Sequence, residues 1–127
     1  MTAPNWIEAA VRDFGRGAGL ENFALNDRGV AAVRFENDIS LRFEYALGEL
    51  VVAMTVPMDN SPEAARRILA YSHPDARNGV KVRSGYLAKS RCAVFAVRKP
   101  SEEVTLPVLD NVFGALWRVA TEAGGAA

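Results

Sequence analysis

His73 is the only histidine and Cys92 the only cysteine in 127 residues, so the side chains best suited to nucleophilic and general-base work occur once each. A hydrolase needs a nucleophile with a base beside it and a third group to orient that base. His73 instead follows Tyr71-Ser72 and precedes Pro74, a stretch that reads as a helix C-terminus, where a cationic ring is favoured by the helix dipole. Cys92 falls in an apolar run of strand character and reads as a small buried side chain. One Cys and one His cannot assemble a zinc site, and a single cysteine excludes an internal disulfide, which fits a reducing compartment.

Other chemistry is equally scarce. Gly15-Arg16-Gly17-Ala18-Gly19 is glycine-rich but follows a helical pattern and lacks the lysine and hydroxyl residue of a phosphate-binding loop, so it reads as a helix terminus. The acids Asp27, Glu36, Asp38, Glu44, Glu49 and Asp59 are scattered over turns and polar strand faces without calcium-loop spacing. The expectation is a protein without catalytic residues, metal or cofactor.

Charge is the more informative feature. Lys and Arg total 15, as do Asp and Glu, yet residues 1–60 hold five bases against nine acids and residues 61–127 hold ten against six. From Arg66 to Lys99 there are nine bases and one acid, Asp75. Strand alternation divides these bases between sheet faces, and no helix-turn-helix, RNP or zinc motif accompanies them. The reading is a docking surface for an acidic protein, with no nucleic-acid role.

These residues must be carried by a scaffold, and its elements are legible. Trp6, Ile7, Ala10, Val11 and Phe14 recur at helical spacing, predicting an amphipathic helix from Pro4 to Arg16. A short strand is expected near Phe23 to Asn26, then a turn at Asp27-Arg28-Gly29 and a strand from Val30 to Glu36. Ile39, Leu41, Phe43 and Tyr45 alternate with Ser40, Arg42 and Glu44, the period of a half-buried strand. After a turn at Leu47-Gly48-Glu49, the apolar run Leu50 to Val56 predicts a central strand covered on both faces. Ser61-Pro62-Glu63 carries the signals of a helix start, and a middle helix is expected through Tyr71. Strands follow from Val80 to Ala88 and from Cys92 to Arg98, and Pro100-Ser101-Glu102-Glu103 ends the sheet. A last helix starts near Leu106, carries Leu109, Val112, Phe113, Leu116, Trp117 and Ala120 on one face, and stops at Gly124-Gly125.

Strand runs joined by hairpins and interrupted by helices predict a single α+β domain over residues 1–127 with a mostly antiparallel sheet. The N-terminus lacks a basic segment followed by an apolar one, and no apolar run approaches the ~18 residues of a spanning helix. The expectation is a soluble, cytoplasmic chain without membrane insertion.

Several strings resemble the class I type III secretion chaperones, most of all the SycN-like members. They are Asn5-Trp6-Ile7-Glu8 with Phe14, Val82-Arg83-Ser84-Gly85-Tyr86-Leu87, Val94-Phe95-Ala96-Val97, and Val104-Thr105-Leu106-Pro107-Val108-Leu109 with Phe113. The resemblance runs nearly end to end and implies an α-β-β-β-α-β-β-α fold. It further implies a cytoplasmic chaperone that pairs with a YscB-like co-chaperone, or with itself, and binds the N-terminal region of a YopN-like gatekeeper. A small regulatory domain of the same fold, as in YbjN-like proteins, is the alternative.

Holding a chain extended calls for strand addition to an open sheet edge and apolar pockets for alternating side chains. Trp6, Val11 and Phe14 on the first helix, with Val30, Ala32, Val33 and Phe35 on the strand from Val30 to Glu36, are the candidate cargo-binding residues. For the dimer interface the candidates are Arg66, Ile68, Leu69 and Tyr71 on the middle helix with Val82, Ser84 and Tyr86 on the strand from Val80 to Ala88.

Overall fold

The computed structural model describes residues 3–35, 37–58, 63, 66, 80–87, 89 and 91–123. Its elements are helix α1 (Asn5–Gly17), strands β1 (Val30–Arg34), β2 (Ser40–Ala46) and β3 (Glu49–Pro57), then β4 (Arg83–Leu87) and β5 (Cys92–Pro100), a 3-10 turn at Ser101–Glu103, and helix α2 (Leu106–Ala123). The five strands form one antiparallel sheet in the order β1-β2-β3-β5-β4, the α+β architecture expected.

Strand alternation gives the sheet one dry face. Leu41 and Phe43, Leu50, Val52, Met54 and Val56, and Ala93, Phe95 and Val97 are all buried and lie side by side in register. Both helices pack on this face. Ile7, Val11 and Phe14 of α1 and Leu109, Val112 and Leu116 of α2 enter the same core, and the Phe14 ring meets Phe43 at 5.2 Å and Phe113 at 5.4 Å. Each fully buried side chain of this size contributes about 1.5–3 kcal/mol relative to exposure.

Backbone constraints fix where the elements meet. A Cβ on Gly15 would lie 2.7 Å from the Phe23 Cβ, so only glycine lets α1 approach the following loop this closely. Gly29, at φ 77°, sits where a Cβ would meet the Tyr45 carbonyl oxygen at 2.9 Å. The β2–β3 hairpin turns through Leu47 at φ 53° and Gly48 at φ 77°, the pattern of a type I′ turn. A left-handed leucine costs about 1–2 kcal/mol. Thr105 caps α2, its hydroxyl accepting from the Val108 N–H at 3.3 Å. That places Pro107 in the first turn, where a missing N–H has no consequence.

Some expectations are corrected. The segment Phe23 to Asn26 forms no strand. Phe23 is pulled down against α1, and the Asn26 side chain closes a turn by accepting from the N–H groups of Arg28 and Val30 at 2.8 and 3.1 Å. β3 is central, but its residues alternate between buried and half-buried, so only one of its faces is dry. β4 begins at Arg83, with Val80 and Val82 buried ahead of it outside the ladder. The helix expected from Ser61 to Tyr71 lies outside the described residues except Glu63 and Arg66, which are helical.

Candidate functional site

The described residues offer no constellation for catalysis or metal binding. They contain no group of three or more His, Cys, Asp or Glu able to hold a metal ion, and Cys92 is buried. His73 lies outside the described residues. An open cleft at the end of α1, lined by Arg12, Arg16, Leu20, Glu21, Asn22 and Phe23, contains no nucleophile. Among the described residues no helix is long and apolar enough to cross a membrane. The features that remain are the two edges of the sheet.

β1 forms one edge. Its ladder with β2 is phased by the Tyr45 N–H donating to the Gly29 carbonyl at 2.8 Å and the Phe35 N–H donating to Ile39 at 2.8 Å. Alternation along an antiparallel pair then directs the main-chain groups of Ala31 and Val33 toward β2 and those of Ala32 and Arg34 outward. Val30 is closed off by Asn26, whose main-chain N–H donates to the Val30 carbonyl at 2.9 Å and whose side chain accepts from the Val30 N–H. The edge therefore opens at Ala32.

Beyond the open positions stands an aromatic wall. Phe35, at the end of β1, lies 5.5 Å from Trp117 and 6.4 Å from Phe113 on α2, and those two rings stack at 5.8 Å. All three are half-buried. Helical spacing puts Phe113 and Trp117 on one face with Leu109, Val112, Leu116 and Ala120. What periodicity could not show is that the rim of that stripe reaches Phe35, although an aromatic pair four residues apart on a terminal helix was a usable signal.

The residues expected to bind cargo are divided among three places. Val30, Ala32, Val33 and Phe35 share the β1 edge. Val11 and Phe14 are 0% and 2% exposed, so they lie in the core and offer no surface. Phe14 does support the wall from beneath through its contact with Phe113. Trp6 is exposed at the other end of the sheet, where its indole Nε1 donates to the Ser101 carbonyl at 3.3 Å.

β4 forms the opposite edge. Val82 is buried, and Ser84 and Tyr86 point to the helix-covered face beside Phe95 and Ala93. Register puts Arg83, Gly85 and Leu87, all exposed, on the other face of the strand. The Tyr86 hydroxyl is buried without a hydrogen-bond partner among the described residues. Lys81, Arg83, Lys89 and Arg91 make this edge and its hairpin cationic, and all four are exposed. Arg66 is also exposed, while Ile68, Leu69 and Tyr71 lie outside the described residues.

A family model described as type III secretory system chaperone SycN matches residues 6–124. The fold is also that of several solved structures. A chain of the HopA1–SchA chaperone–effector complex is 17% identical with a TM-score of 0.74, covering 94% of this chain and 93% of that one. The structure of the Yersinia pestis type III secretion chaperone SycH with a stable fragment of YscM2 matches at 19% identity and TM-score 0.72, covering 92% and 98%. A chain of the heterodimeric ExoU–SpcU complex from the Pseudomonas aeruginosa type III secretion system matches at 10% identity and TM-score 0.67, covering 93% and 94%. Among curated proteins none matches.

Proposed function

The chain belongs to the SycN family of type III secretory system chaperones, and from that premise we propose that it binds the N-terminal segment of a secreted protein, a YopN-like gatekeeper, as an added strand along β1. The observation that carries this reading is the outward main-chain donors and acceptors of Ala32 and Arg34 beside the half-buried Phe35, Phe113 and Trp117. Strand addition supplies affinity that is indifferent to cargo sequence, and the aromatic wall takes one apolar cargo side chain. An added strand is held extended and cannot fold, which is the state a secretion channel accepts. The work is done in the cytoplasm, without catalysis or cofactor.

The second edge suits a co-chaperone. Two copies meeting across β4 in a two-fold contact would bring Lys81, Arg83, Lys89 and Arg91 close to the same cations of the partner. Like charges at an interface oppose association, whereas an acidic partner gains in rate and selectivity. The cationic edge thus favours a YscB-like heterodimer over a homodimer, with Arg66 at the rim.

The test is affinity capture of the tagged chain from cells with an active type III secretion system, followed by mass spectrometry and light scattering of the recovered complex. The expected result is a second small chaperone together with a gatekeeper-like protein. A lone homodimer with no secreted protein would replace this reading with that of a YbjN-like regulatory domain.

A further inference from the structure

The Leu47–Gly48 end of the sheet carries an apolar surface separate from the β1 site, since Phe35 lies at the far end of the β1–β2 pair, about 20 Å away along seven-residue β2. Trp6 is 55% exposed and Leu47 is 88% exposed. Hydrogen bonds bring their elements together: the Trp6 indole donates to the Ser101 carbonyl at 3.3 Å, and the Ser101 N–H donates to the Gly48 carbonyl at 2.9 Å. The indole is thereby held by its polar edge.

Leu47 breaks two local rules at once. A two-residue hairpin loop with positive φ at both positions favours Asn-Gly or Asp-Gly, and Leu47 occupies the first of them. Its side chain is also left in water. A residue that neither its backbone nor its solvation favours marks a place where something other than folding sets the choice.

Charge indicates what covers this surface. Asp27, Glu49, Glu102 and Glu103 flank it against three cations, Arg28 beside Asp27, Arg98 engaged by Glu49 at 3.6 Å and Lys99 by Glu103 at 4.0 Å, which leaves one carboxylate in excess. Exposed Glu102 adjoins the residue that the indole touches. A carboxylate excess and an accessible indole face both select a cation, and Leu47 selects an apolar neighbour. We infer that this end of the molecule docks a short basic and apolar segment of another protein, with an arginine or lysine over Trp6 beside Glu102 and an aliphatic side chain on Leu47.

The probe is a short fluorescein-labelled peptide alternating leucine and arginine, titrated into the full chain by anisotropy, with a leucine–glutamate peptide as control. Leu47→Asn is the decisive variant, because it restores the favoured turn residue while removing the apolar side chain. The expected result is saturable binding of the arginine peptide alone, weakened at least about tenfold by Leu47→Asn and by Trp6→Ala, with a higher Tm for Leu47→Asn. Equal affinity in wild type and Leu47→Asn, or equal binding of the glutamate peptide, would overturn the inference. So would self-assembly of the chain that Leu47→Asn abolishes, which would make a second copy the occupant.

Discussion

The two edges of one sheet are built from different materials. β1 ends in an aromatic cluster of Phe35, Phe113 and Trp117 and turns the backbone of Ala32 and Arg34 outward. β4 presents exposed Arg83, Gly85 and Leu87, with Lys81, Lys89 and Arg91 around them. Backbone hydrogen bonds and ring pockets recognise an extended chain through features every sequence shares. Fixed cations recognise one partner by its charge. On the function proposed above, the difference assigns promiscuity and specificity to separate edges, with the buried residues of β2, β3 and β5 holding the two apart.

The largest expected effect tests that shared middle. Phe43→Ala removes a fully buried ring that contacts Phe14 and Phe23, and chemical denaturation should show a loss of about 3–5 kcal/mol. Cargo and partner binding should then fail together; retention of either alone would mean that the edges are independent of this core. Ala32→Pro comes next. It deletes an outward N–H without touching the β1–β2 ladder, so cargo affinity measured by calorimetry should fall by about 1–3 kcal/mol while partner association is unchanged. An equal loss at both edges would break the comparison.

A smaller effect is expected at β4. Reversing charge with Lys81→Glu and Arg83→Glu should slow co-chaperone association about tenfold at low salt, with the difference shrinking as ionic strength rises. Stopped-flow rates insensitive to salt would remove the electrostatic account of that edge. The smallest concerns Tyr86, whose buried hydroxyl lacks a partner among the described residues. Tyr86→Phe should be neutral or stabilising by up to about 1 kcal/mol in a melting experiment, and a clear destabilisation would show that the hydroxyl is satisfied in the assembled protein.

Periodicity carried most of the fold. The Ile39 to Tyr45 alternation and the Trp6 to Phe14 spacing mark the right elements because each has one buried face, and burial is what writes a period into a sequence. Phe23 misled, since an apolar residue anchoring an irregular loop looks locally like the start of a strand. The site was harder to read for the same reason. Val11 and Phe14 share the helical stripe of any core residue, and nothing in their spacing distinguishes a residue beneath a groove from one lining it. The facing of Ser84 and Tyr86 has no clear signal in the sequence, because a weakly apolar five-residue strand such as β4 leaves its facing to the partner strand's register. Open main-chain groups at Ala32 and Arg34 have no side-chain signature at all.

Amide hydrogen exchange on the captured complex tests the central claim most directly. Strand addition along β1 predicts slowed exchange at Ala32 and Arg34 when cargo is bound, with the amides of Ala31 and Val33, already bonded to β2, little changed. Unchanged exchange at Ala32 and Arg34 in a complex that retains its cargo would contradict it.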